Sequence, residues 1–81
     1  MEKKYEFTTE EKNGLKRIKA IRSFGNVLAG ELGGFIEKNE NLSHSGNAWV
    51  SDNASVFGDA SVFGNAWVSD NASVFGNAWL S

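Results

Sequence analysis

The chain has one imidazole, His44, set in Ser43-His44-Ser45. A general base of this kind needs a carboxylate to orient it and a pocket that brings a substrate within hydrogen-bond reach. The sequence around His44 supplies no such pattern, so it reads as a solvated or corner-packing histidine. Gly30-Glu31-Leu32-Gly33-Gly34 is rich in glycine but carries neither GxGxxG nor GxxxxGK[ST], and it reads as tight turning rather than a phosphate cradle. There is no cysteine, which excludes disulfides, thiolate metal sites and thiol nucleophiles. No catalytic residue, metal site or cofactor is expected from these residues.

Any chemistry therefore depends on how the elements present the remaining side chains, and the elements are set by a repeat. From Gly46 the chain divides into hexads, GNAWVS, DNASVF, GDASVF, GNAWVS, DNASVF and GNAWLS. Each has Ala third and Val or Leu fifth, which puts both on one side of a short extended segment with Trp or Ser on the other. Gly or Asp followed by Asn or Asp opens each hexad, the residue types that make tight corners. Shifting residues 46–63 by 18 onto 64–81 gives identity at 14 of 18 positions. Three hexads thus form one triangular coil, and the next lies about 4.8 Å away with equivalent residues stacked. A hairpin meander would not favour an 18-residue correspondence over a 12-residue one.

These residues resemble the hexapeptide-repeat proteins, whose signature is an aliphatic residue followed four later by a small one. Val50 to Ala54, Val56 to Ala60, Val62 to Ala66, Val68 to Ala72 and Val74 to Ala78 fit it. Ile21 to Val27, Gly30 to Glu37 and Asn41-Leu42-Ser43 also look like the upstream segment of bacterial and phage proteins labelled hexapeptide transferases. The resemblance implies an all-β fold, a short left-handed parallel β-helix (β-solenoid). The left hand comes from the resemblance alone, since ordinary parallel crossovers are right-handed. The single domain divides into a capping segment at 1–27, an irregular first coil at 28–45 and two regular coils at 46–81. Asn13-Gly14 predicts a hairpin pairing residues 4–9 with 15–22, although Leu15, Ile18 and Ile21 would also suit a helix face. Ile36, Leu42 and Ala48 keep the six-residue step through the irregular coil.

Acyltransferases of this resemblance generally have more coils and a catalytic histidine near a subunit boundary, and carbonic anhydrases on the same fold use three histidines per zinc. His44 alone would supply three only across a threefold axis. Asp52 and Asp70 fall on equivalent corners, but two carboxylates are too few to hold a hard cation and read as solvated.

The pattern directs Trp49, Trp67 and Trp79 outward, with Trp49 stacked over Trp67, Phe57 over Phe75, and Phe63 at a further corner. So many rings on two coils form an apolar surface of the kind that meets a partner. The alternative is that the rings pack on one another or beneath the N-terminal hairpin. Asn77, Ala78, Leu80 and Ser81 form an uncovered C-terminal edge. The function expected is non-catalytic: homo-oligomerisation, as a homodimer or homotrimer, and protein–protein interaction. The alternatives are a small phage-encoded inhibitor docking on a bacterial defence (CRISPR-type) complex and a degenerate or trimeric hexapeptide acyltransferase.

All eight Lys and Arg lie before residue 39, while residues 46–81 carry Asp52, Asp59 and Asp70 and no base. That half repels phosphate backbones, so no nucleic acid is expected there. No apolar run reaches the length of a signal-peptide core or a membrane span, which makes the expected location cytoplasmic and the expected partners free of membrane.

Overall fold

The computed structural model describes residues 3–81, so Met1 and Glu2 of the capping segment lie outside it. The described residues form nine strands and a single 3₁₀ turn at Asn39–Asn41, giving an all-β fold. Strands β1 (Tyr5–Lys12) and β2 (Leu15–Ala20) pair antiparallel with Tyr5 opposite Ala20 and Lys12 opposite Leu15. Asn13 and Gly14 both take positive φ, 54° and 82°, which is the two-residue turn whose twist matches paired strands. The hairpin therefore forms in place of the helix, and β1 runs three residues beyond the expected 4–9.

Strand β3 (Leu32–Ile36) joins this hairpin to the repeat, lying antiparallel to β2 and parallel to β5 (Ser55–Val56). The regular coils contribute β4 (Trp49–Val50), β6 (Ser61–Val62), β7 (Trp67–Val68), β8 (Ser73–Val74) and β9 (Trp79–Leu80). Residues 18 apart pair in parallel on three separate faces, Trp49 with Trp67, Ser55 with Ser73 and Ser61 with Trp79. Ala48, Ala54, Ala60, Ala66, Val50, Val56, Val62, Val68 and Val74 are buried. At the corners Asp52, Asp70, Gly46, Gly58, Gly64 and Gly76 take positive φ. Left-handed backbone thus falls on the first residue of the hexad and not on the Asn that follows.

Two expectations for the first coil are corrected. Phe35 pairs with Ser55, and Leu42 bridges Val62, an offset of 20 residues rather than 18. Leu42 to Val50 is eight residues along the chain, so the corner at residues 43–47 is two longer than the others, and the six-residue step to Ala48 is a coincidence. Gly33 and Gly34 do not turn; they lie within β3, where a Cβ would come 2.6 Å from the Val50 carbonyl oxygen and 2.5 Å from that of Ala54. Close approach of two backbones requires glycine at both places, while Gly30, at φ 93°, makes the turn.

Among the described residues no strand pairs with the other edge of β4 or with the start of β6, and a side chain stands in for one at each place. In the regular coils the Asn47 and Trp49 amides donate to the Gly64 and Ala66 carbonyls at 3.0 and 3.1 Å. One coil up, Lys4 Nζ donates to the equivalent carbonyls of Gly46 (3.3 Å) and Ala48 (2.6 Å). Likewise the Asp59 and Ser61 amides serve Gly76 and Ala78, whereas the buried Asn41 amide nitrogen serves Gly58 (3.2 Å) and Ala60 (2.9 Å). Asn41 Oδ1 also accepts from the Glu37 and Lys38 amides at 3.0 and 2.9 Å. These polar plugs satisfy carbonyls that would otherwise be costly to bury.

Candidate interaction surface

The three tryptophans occupy equivalent hexad positions but do not share an environment. Trp67 and Trp79 are 46% and 75% exposed, whereas Trp49 is fully buried. This corrects the expected outward Trp49. The capping segment covers it: its indole meets the Phe24 ring edge-on at 5.3 Å and Tyr5 at 6.5 Å, and Gly33 lies against it. Paired at the backbone, Trp49 and Trp67 do not stack their rings. Among the described residues the Trp49 indole N–H has no hydrogen-bond partner, so ring packing and not a polar contact holds it.

Phe57 and Phe75 do stack, with centroids 5.4 Å apart and planes 10° from parallel, and Phe75 is 58% exposed. Phe63 meets Trp79 edge-on at 6.0 Å and 87°. Asn77, Ala78, Leu80 and Ser81 are all exposed beside Trp79. The aromatic surface therefore comprises Trp67, Trp79, Phe63 and the Phe57–Phe75 stack, with Trp49 removed to the core.

A cleft of about 470 Å³ opens along the β6–β9 face. Leu42, Val62, Phe63 and Trp79 give it apolar walls, and Glu40 and His44 lie at its rim. His44 is held by the capping segment. Tyr5 stacks on its ring at 4.0 Å and 10°, and the Lys4 amide donates to Nδ1 at 3.2 Å. An amide N–H can only donate, so Nδ1 is the acceptor and Nε2 carries the proton, which points to Asn39 Oδ1 at 3.3 Å. Burial, together with the charges of Lys4, Lys3 and Arg22, lowers the His44 pKa and keeps the ring neutral. Both nitrogens are thus engaged, and no lone pair is left to accept a proton from a substrate.

In the sequence Lys4 is only one of the eight basic residues before residue 39. It is buried, its Nζ lies 4.6 Å from the Phe24 ring centroid, and burial followed by Arg22 lowers its pKa to about 8. Burial and Glu40 together raise the Tyr5 pKa well above its usual value. The Tyr5 hydroxyl donates to the Leu42 carbonyl at 2.7 Å. At the opposite corners Asp52 and Asp70 are joined by the Asp70 amide, which donates to the Asp52 carboxylate at 3.2 Å. Among the described residues no three His, Asp or Glu side chains are grouped to hold a metal, and no helix is long and apolar enough to cross a membrane.

No protein-family model matches the chain. A stretch of 49 residues is 43% identical to a protein of Escherichia coli (strain K12) described as "Uncharacterized acetyltransferase YdcK". That stretch is 59% of this chain and 15% of the relative, so the chain spans only a small part of the curated protein it resembles.

Proposed function

We propose that the chain is a non-catalytic binding module of the left-handed parallel β-helix type, which docks on another protein, or on a further copy of itself, through its exposed rings. The observation that carries this reading is the exposure of Trp79, at 75%, in the wall of an apolar cleft, with Phe75 a further exposed ring at 58%. Isolated exposed rings are ordinary, but a concentration of them on so small a body marks an interaction surface. Stacking and edge-to-face contacts hold Phe57, Phe75, Phe63 and Trp79 in fixed geometry, so little side-chain entropy is lost on docking.

Light scattering and thermal unfolding of the parent, compared with a Trp67→Ser/Trp79→Ser variant, test the reading. The parent is expected to self-associate with rising concentration, or to retain a protein from a cell extract, and the variant to lose that property while keeping its unfolding temperature. A monomeric parent that retains nothing, or a variant that behaves like it, defeats the proposal.

A second reading, a part of an acyltransferase, draws on the name of the Escherichia coli relative. It would need His44 to release one of its two partners. Acyl transfer from acetyl-CoA that disappears in His44→Ala would favour it; an inactive parent removes it.

A further inference from the structure

Residues 3–5 lie as a strap across the N-terminal end of the coils, and His44 is one of the points where the strap is fastened. Lys4 Nζ donates to the Gly46 and Ala48 carbonyls at 3.3 and 2.6 Å, and the Tyr5 hydroxyl donates to the Asn39 and Leu42 carbonyls at 3.2 and 2.7 Å. Carbonyl oxygens accept at any pH. The remaining fastening, from the Lys4 amide to His44 Nδ1 at 3.2 Å, ends on an atom that does not. Once Nδ1 takes a proton it becomes a donor, and two N–H groups then face each other. Charged and titratable groups reach His44 from three directions: Lys3, Lys4 and Tyr5 from the strap, Arg22 from the chain after β2, and Glu40 from the 3₁₀ turn. An imidazolium would be repelled by the three cations and attracted by Glu40 and by the Tyr5 ring, stacked at 4.0 Å. Burial and the cations prevail, which lowers the His44 pKa.

What the strap covers is a repeat position that is otherwise open. Trp49 and Trp67 lie in identical stretches and pair across β4 and β7, yet only Trp67 is exposed. Tyr5 in the strap, together with Phe24, encloses Trp49. We propose that residues 3–5 are a proton-operated strap: protonation of His44 releases Lys4 and Tyr5 from the coil end and uncovers Trp49 beside Trp67, while the coils beneath stay folded. The coils have no comparable trigger, since the Ser55, Phe57, Ser61 and Phe63 amides all donate to backbone carbonyls one coil below. This device goes beyond the docking reading and needs no partner to operate. The released strap leaves His44 in water, where it binds a proton more readily than in the closed form. Release is therefore favoured as pH falls through 6.5, by up to about tenfold per pH unit, and levels off once the closed form is protonated too.

Hydrogen exchange of the ¹⁵N-labelled protein in deuterium oxide, followed by NMR, tests the strap. The Trp49 indole N–H has no partner among the described residues, so burial alone shields it, and the exposed Trp79 indole serves as the reference at each pH. The ratio of the Trp49 rate to the Trp79 rate is expected to rise as pH falls below 6.5 and to level off where the His44 ring-proton signals of the same sample titrate. Protection of the Ser55 amide, relative to an unstructured chain, should not fall with it. His44→Phe keeps a ring against Tyr5 without a titratable nitrogen, and its ratio should not change with pH. A constant ratio in the parent overturns the proposal. So does a ratio that levels off away from the His44 titration, a Ser55 amide that loses protection in step with Trp49, or a His44→Phe variant that responds to pH as the parent does. The docking surface is decided separately by light scattering of the Trp67→Ser/Trp79→Ser variant.

Discussion

Replacing Asn41 by alanine removes one small side chain and four hydrogen bonds. The Glu37 and Lys38 amides lose their acceptor, and the Gly58 and Ala60 carbonyls lose their donor. The bond to Ala60 is buried and the other three are partly so. A buried group left unpaired costs about 1–3 kcal/mol, and a group that water can reach loses only the net worth of its bond, about 0.5–1.5 kcal/mol. One of the first kind and three of the second sum to about 2.5–7.5 kcal/mol. A domain of this length has a total stability of roughly 4–12 kcal/mol, so Asn41→Ala should lose a large part of it. Urea unfolding followed by tryptophan fluorescence measures the difference, with Asn47→Ala, at an exposed corner, expected to stay within about 0.5 kcal/mol of the parent. An Asn41→Ala variant equally close to the parent, with an unchanged urea slope, would refute the reasoning that this amide substitutes for missing backbone.

Three further outcomes follow from the same contacts. Trp49→Ser should cost about 3–5 kcal/mol, since it empties a fully buried indole site, while Trp67→Ser should cost less than about 1 kcal/mol; equal losses in urea unfolding would contradict the different burial of the two rings. Gly34→Ala sets a Cβ against the Ala54 carbonyl and the Val50 side chain and should cost at least about 1–3 kcal/mol, a reading that fails if amide exchange in β3 and β5 is unchanged. Stability should also depend on pH in three windows. His44 has a lowered pKa in the fold, so the unfolded chain binds more protons just below pH 6.5 and stability falls as the solution is acidified through that value. Lys4 binds its proton less tightly folded, about 8 against 10.5, so stability rises as pH is raised from about 8. Above pH 10 Tyr5, whose pKa is raised in the fold, reverses the trend because the unfolded phenol ionises first. Urea midpoints taken across these windows check both signs, and Lys4→Met should abolish the rise above pH 8.

How much of this was legible is clearest from residues 46–57 and 64–75, whose sequences are identical. Alternation of Ala and Val with Trp or Ser fixed which side faces inward, and the 18-residue identity gave the register, including the Phe57–Phe75 stack. Yet Trp49 and Trp67 sit in those identical stretches, one buried and the other 46% exposed. Nothing local distinguishes them; Tyr5 and Phe24, distant along the chain, make the difference. Lys4 and Asn41 were hidden for the same reason, because a plug is defined by the carbonyls it meets and not by its neighbours in sequence. Gly33 and Gly34 were misread as turn residues since a glycine required for close approach looks the same on paper as one required for φ. The lengthened corner at residues 43–47 did leave a trace, in the eight residues from Leu42 to Val50, but Ala48 supplied a false match at six. At the candidate surface, Trp67, Trp79 and Phe75 were readable as outward by strand alternation, whereas the Glu40 rim depends on a 3₁₀ turn that no periodicity announced.

The exposed rings and the cleft exist only if residues 18 apart lie one above the other in parallel. Through-space proton NMR tests this directly. Contacts are expected between the Trp49 amide and the α-proton of Trp67, between the Ser55 amide and that of Ser73, and between the Ser61 amide and that of Trp79, following the parallel pairs on three faces. Close α-proton to α-proton contacts between neighbouring hexads, the mark of antiparallel ribbons, would contradict the account.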